Sequence, residues 1–95
     1  MNKFRLPDHL AQLIRGLHPD IKGRILGSLK TLADDPHAGK SLKDEMEELR
    51  SLKIKRLRII YRLATPEEIQ IVAIGPRELI YEETYRLIMK EKEAG

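Results

Sequence analysis

Apolar residues recur along this chain with two different periods, and the change between them divides it in two. Leu10, Leu13, Ile14 and Leu17 are spaced three and four apart, which predicts a short amphipathic helix with one apolar stripe. Pro7-Asp8 supplies its start, since proline is tolerated in a first helical turn and aspartate favours the positive end of the dipole. Gly16 and His18-Pro19 interrupt the stripe. Pro19-Asp20 then opens a second helix by the same logic, with Ile21, Ile25, Leu29 and Leu32 as its buried face. Asp34-Asp35-Pro36 closes it, because proline disfavours helix in the residue before it. Ahead of both helices, Met1 to Leu6 reads as a short edge strand with Phe4 and Leu6 on one face.

Beyond Pro36 the period falls to two. His37 to Glu48 is a polar connection containing Gly39. Leu52 and Ile54 alternate with Ser51, Lys53 and Lys55, as in a half-buried strand. Leu57, Ile59, Tyr61 and Leu63 alternate with Arg58, Ile60 and Arg62 in a second strand. Thr65-Pro66-Glu67-Glu68 is a turn, and Ile69 to Ile74 is apolar enough for a central strand covered on both faces. Gly75-Pro76 breaks it, and Leu79 to Lys92 closes the chain as a helix with Leu79, Ile80, Leu87 and Ile88 facing inward. The expected fold is therefore α+β in the order β-α-α-β-β-β-α. A small antiparallel sheet packs against a helical hairpin and a C-terminal helix.

Ninety-five residues are one domain's worth of chain, so residues 1–95 are expected to form a single domain, burying roughly 60–65% of the unfolded surface. No apolar run approaches the roughly 20 residues that span a bilayer. The start, Met1-Asn2-Lys3-Phe4-Arg5, lacks the features of a signal peptide. The chain has no cysteine, which agrees with a reducing compartment. The expectation is a cytoplasmic protein without a membrane partner.

Charge changes the picture more than composition does. The net charge is only +3, yet Arg50, Lys53, Lys55, Arg56, Arg58 and Arg62 follow one another with no acid between Arg50 and Arg62. Asp44, Glu45, Glu47 and Glu48 lie just before this stretch, and the last helix is rich in glutamate. Such segregation concentrates positive potential on one part of the surface. Alternation sends Ser51, Lys53 and Lys55 to one face of their strand, and Arg58, Ile60 and Arg62 share a face of the next. With Lys53 and Arg58 on the same side, a rigid cationic platform for phosphate results. The same residues could equally be a solvated face that protects a sheet edge. Base stacking has only Tyr61, Tyr81 or Tyr85 to draw on.

Other chemistries find little support. His9, His18 and His37 have no second histidine at ligand spacing, so no metal site is expected. Ser28, Ser41 and Ser51 lack a nucleophile-elbow context, and Gly23 and Gly27 fall within a helical repeat and form no phosphate loop.

The segment ADDPHAGKSLKDEMEELRSLKIKRLRIIYRL, followed by IQIVAIGPRELIYEE, resembles the RelE/ParE superfamily of toxins from type II toxin–antitoxin systems. The shared pattern runs from a helix ending in D-P through a G-K-x-L connection and an L-R strand to an R-V-I-Y-type strand. A core strand ending in glycine and arginine before a tyrosine completes it. The resemblance covers Ala33 to Glu83, and its specificity lies in the ordered combination.

The resemblance implies a RelE-like fold and, in the RelE branch, metal-independent cleavage of messenger RNA in the ribosome. The ribose 2′-hydroxyl would attack the adjacent phosphate, which requires a base, cations for the developing charge and an acid for the leaving oxygen. By position, Arg58 and Arg77 would hold the scissile phosphate, Lys53 would stabilise charge, and Tyr81 would orient the base or transfer a proton. A tyrosine normally titrates at about 10, so proton transfer would need neighbouring cations. Arg50, Lys55, Arg56 and Arg62 would contact RNA or ribosome.

The chain departs from the pattern at Ser51, where relatives often have a basic residue. It departs again at Pro76, where many have histidine, and at Glu78, where arginine is common. An alternative assigns Tyr81 to packing and Arg77 to a salt bridge with Glu78 or Glu82. Two further functions remain open, a ParE-like inhibitor of DNA gyrase and a weakened RelE-fold binding protein. The implied partners are a cognate RelB-like antitoxin, the ribosome and messenger RNA, with no small-molecule cofactor.

Overall fold

A computed structural model describes residues 3–94. Its elements are β1 (Lys3–Arg5), α1 (Asp8–Arg15), α2 (Pro19–Asp34), β2 (Lys40–Ser41), β3 (Arg50–Ile54), β4 (Leu57–Thr65), β5 (Glu68–Pro76) and α3 (Arg77–Ala94), with a 3-10 turn at Asp44–Met46. The α+β class and the expected order hold, and β2 is an addition. Met1 and Asn2 of the expected first strand lie outside the described residues.

The five strands are ordered β1-β5-β4-β3-β2. The β2–β3, β3–β4 and β4–β5 pairs are antiparallel, whereas β1 runs parallel to β5. Parallel pairing needs a long return connection, which the chain between these two strands provides. The sheet is thus mixed, with an antiparallel meander at its centre.

Each face has its own core. The α1–α2 hairpin covers one side, where Leu10, Ile14, Ile25 and Leu32 meet Ile54, Ile59, Tyr61, Ile69, Ile71 and Ile74. On the other side α3 lays Ile80 and Ile88 against Leu49, Ile60 and Ala73. Each such isoleucine, fully buried, contributes about 1.5–3 kcal/mol. Strict alternation would not sort β5 this way, because Ile71 and Ile74 share a face. The register explains it: Ile60 pairs with Ala73 and Tyr61 with Ile71, so Val72 is an extra residue that flips the alternation.

The turn after β4 is shorter than expected, with Thr65 and Glu68 inside the strands, and the junction of β5 with α3 and one helical face also differ from expectation. β5 continues through Gly75 to Pro76, and α3 begins at once with Arg77. Proline is acceptable at the last position of a strand, where its missing donor leaves no gap within the ladder. The inward positions of α3 are Ile80, Thr84 and Ile88, four residues apart. Leu79 and Leu87 lie one residue earlier, about 100° round the helix, and are 54% and 45% exposed.

Candidate active site

Pairing register brings the cations together. On the α3 side of the sheet, Lys53 stands opposite Arg58 and Arg58 opposite Gly75. The row beneath runs Lys40, Ser51, Ile60, Ala73 across β2 to β5. A Cβ on Gly75 would come within 3.1 Å of Ile80 Cδ1. Glycine therefore lets the first turn of α3 settle on the sheet, with Arg77 beside Arg58 and Lys53.

Lys40, Leu42, Ser51, Lys53, Arg58, Arg77 and Tyr81 line a cleft of about 310 Å³. A second hollow, about 270 Å³, is lined by Lys53, Lys55, Arg56, Arg58, Arg77 and Glu78. The two share Lys53, Arg58 and Arg77 as a common wall. Among the described residues no carboxylate pairs with any of these three, whereas Arg5, Arg62 and Arg86 all have acidic partners. The positive field of α3's first turn adds to theirs. The chemistry on offer is the binding of phosphate by unspent guanidinium and ammonium groups.

The hairpin between β3 and β4 is braced for this arrangement. Ile54 pairs with Leu57, leaving Lys55-Arg56 as a two-residue turn in which Lys55 has a φ of 52°. That left-handed conformation costs a non-glycine residue roughly 1–2 kcal/mol. The Arg58 Nη1 donates to the carbonyls of Lys55 at 3.1 Å and Leu57 at 2.9 Å. The Arg77 N–H donates to the Arg56 carbonyl at 3.1 Å, joining the turn to α3. One nitrogen of Arg58 is engaged with backbone, and its remaining donors are available to a ligand.

Tyr81 reaches the cleft from α3, its hydroxyl 3.2 Å from Ser51 Oγ. Lys40 is held by the loop before β2. There the buried Tyr61 hydroxyl accepts from the Gly39 N–H and donates to the Pro36 carbonyl, both at 2.8 Å. Burial pushes the Tyr61 phenol above its ordinary 10.0, against the opposing effects of the Gly39 hydrogen bond and nearby Arg50.

Of the residues anticipated from sequence, Lys53, Arg58, Arg77 and Tyr81 come together, and Lys55 and Arg56 extend their surface. Arg50 and Arg62 do not join them. Arg50 pairs with Tyr61 in the sheet and so leaves on the opposite face, where its guanidinium donates to the Gly39 carbonyl at 2.7 Å. Arg62 is tied to Glu91 at 2.8 Å, to Glu48 at 3.4 Å and to Gln70 Oε1 at 2.9 Å. These contacts hold Arg62 charged and draw the Glu91 carboxyl below its ordinary 4.5. Tyr61, at 0% exposure, offers no stacking surface. The alternative salt bridge from Arg77 to Glu78 or Glu82 is not formed, and Glu82 pairs instead with Arg86.

Lys40 and Leu42 are additions to the site. Their only sequence signal is the G-K-x-L connection, because a two-residue strand is too short to show a period. A larger cavity of about 490 Å³ is lined by Asp44, Glu45, Glu47, Glu48 and Lys92, the wrong sign for phosphate. Among the described residues no three histidine, aspartate or glutamate side chains gather to hold a metal, and no helix is long and apolar enough to cross a membrane.

Residues 5–81 match the family model of the ParE toxin of the type II toxin–antitoxin system parDE. Among solved structures, a free variant of the Escherichia coli toxin RelE is similar over 95% of this chain and 96% of its own, at 15% identity and a TM-score of 0.72. The isolated Escherichia coli RelE toxin covers 93% of this chain and 99% of its own, at 16% identity and a TM-score of 0.68. A RelBE toxin–antitoxin complex from Mycobacterium tuberculosis covers 80% of this chain and 98% of its own, at 20% identity and a TM-score of 0.67. At such identities the likeness concerns the fold. No curated protein sequence matches significantly.

Proposed function

The chain belongs to the ParE toxin family of type II toxin–antitoxin systems, within the RelE/ParE superfamily, and from that we propose that it cuts messenger RNA on the ribosome. The observation that carries this reading is the shared wall of Lys53, Arg58 and Arg77, three cations on a sheet and the helix start beside it, with no acidic partner among the described residues. Arg58 and Arg77 would grip the non-bridging oxygens of one phosphate, and Lys53 would stabilise the charge that accumulates as the 2′-oxygen attacks. The new bond is 2′-O to phosphorus, the bond broken is phosphorus to 5′-O, and the products are a 2′,3′-cyclic phosphate and a 5′-hydroxyl. Tyr81 would orient the 2′-hydroxyl or pass a proton at that step. Lys40, opposite Ser51, supplies a cation at the corner where Ser51 supplies none.

A second reading has its own support, since the matching family model is that of ParE toxins. In that reading the cationic surface binds gyrase or its DNA and no RNA is cut. Induction in growing cells, followed by mapping of message 5′ ends, separates the two. The nuclease predicts breaks within translated messages that Arg58→Ala or Arg77→Ala abolishes. Intact messages with gyrase-dependent DNA breaks would establish the second reading.

As in the Mycobacterium tuberculosis complex, whose toxin is bound to an antitoxin, we expect a cognate antitoxin here. An acidic segment laid over Lys53, Arg56 and Arg58 would neutralise the cleft and associate quickly. The whole chain then acts as one cytoplasmic domain whose partners are antitoxin, ribosome and message.

A further inference from the structure

Two hollows meeting at one phosphate-binding wall leave room for a nucleotide on each side of it, and they are not lined alike. The first contains Leu42, Tyr81 and Ser51, a mixed surface suited to ribose and the face of a base. The second contains Lys55, Arg56 and one acid, Glu78, with no aromatic residue. Among the described residues, Glu78 is the sole carboxylate lining either hollow. A negative charge there opposes phosphate binding. Its oxygens are also unspent, since among the described residues Glu78 makes no ion pair with Lys55, Arg56 or Arg77. It sits on the first turn of α3 next to Arg77, so its position is fixed by the same rigid element that presents the phosphate ligand.

We propose that Glu78 is a specificity-determining residue that reads the base beside the bound phosphate and selects guanine. This rests on the nuclease reading and deepens it. A carboxylate accepts hydrogen bonds only. Among unpaired bases, guanine alone offers two adjacent donors, its N1–H and N2–H, on the Watson–Crick edge. Adenine and cytosine offer one amino group beside an acceptor, and uracil one N–H between two carbonyls, which a carboxylate repels. Unstacked bases are read on this edge in single-stranded RNA. A favourable charge at the start of α3 is a further contribution of Glu78, and it would give no base preference.

The test measures binding of tetraribonucleotides carrying 2′-O-methyl groups, which block cleavage, and differing in one base beside the central phosphate. The wild-type protein should prefer guanine on one side by at least about fivefold. Glu78→Gln and Glu78→Ala should each reduce that preference towards unity, while Glu82→Gln, on the same helix outside the hollow, should retain it. Glu78 is exposed, so both variants should fold, as their melting temperatures will report. Absence of any base preference in the wild type, or a preference that survives in both Glu78 variants, would overturn the assignment, as would absence of oligonucleotide binding. Guanine-selective binding with intact cellular messages would leave base reading standing and remove the nuclease. Message cleavage indifferent to Glu78 would do the reverse.

Discussion

Lys53 and Arg58 stand directly opposite each other on β3 and β4, two like charges in one cross-strand pair. Among the described residues neither has a carboxylate partner. Like charges so placed weaken a sheet, and the arrangement makes physical sense if an anion completes it. Lys53→Thr should therefore stabilise the fold by about 0.2–1 kcal/mol in denaturant melts while weakening RNA cleavage. A loss of stability with full activity would count against the pair as a ligand site.

Tyr81 and Ser51 give a second prediction, because their hydroxyls meet at 3.2 Å across the cleft. Tyr81→Phe should lower the cleavage rate by at least about tenfold, within the ~10²–10⁴ span of general acid–base effects. Ser51→Ala removes only a partner of that hydroxyl and should lower it less. Single-turnover cleavage of a programmed ribosome distinguishes them, and an unchanged rate for Tyr81→Phe would remove the tyrosine from the mechanism.

Gly39 is under a close contact. A Cβ there would lie 2.6 Å from the Tyr61 hydroxyl oxygen and 2.7 Å from Cε1. Gly39→Ala should destabilise by about 1–3 kcal/mol and loosen the loop that holds Lys40. Tyr61→Phe leaves the Gly39 N–H and Pro36 carbonyl without their partner, at about 1–3 kcal/mol. The double variant should cost less than the sum, because the phenylalanine clears part of the collision. Strict additivity in a thermal-melt cycle would contradict the contact.

Two groups set opposite pH limits. The Glu91 carboxyl is held below 4.5 by its hydrogen bond to Arg62, so its stabilisation is complete above 4.5 and is lost as pH falls through the folded value. Both side chains reach solvent, which keeps the term within ~0–1 kcal/mol. Tyr61 is held above 10.0 by burial, so its neutral form stabilises fully below 10.0 and that contribution is lost as pH rises through the folded value. Glu91→Gln should flatten the acid limb of a stability–pH curve and Tyr61→Phe the alkaline limb. Unaltered limbs would refute the assignments.

Periodicity located the helical hairpin, the meander and the closing helix, because each carries enough apolar positions to show its period. It placed Leu79 and Leu87 inside, where the stripe passes one residue to the side through Ile80, Thr84 and Ile88. It also had no means of detecting the extra residue at Val72, which reverses the faces of β5. Charge spacing grouped all six cations between Arg50 and Arg62. Register then separated them: Lys53 and Arg58 turn towards α3, while Arg50 turns to the other face. Arg62 lies nearer the other end of β4, beside Glu91. Lys40 had only the G-K-x-L connection as its signal, and Glu78 showed only as an acid beside Arg77; strand pairing and helix placement are what bring them to the site.

Cleavage on the ribosome is read most directly with purified protein, ribosomes carrying a defined message, and chemical identification of the cut ends. Wild-type protein should generate a 2′,3′-cyclic phosphate and a 5′-hydroxyl within the ribosome-bound codon. Arg77→Ala should reduce the rate by about 10²–10³-fold, as loss of a charge-stabilising group does. An intact message under these conditions, or cleavage undiminished by both Arg77→Ala and Arg58→Ala, would contradict a nuclease built on these two arginines.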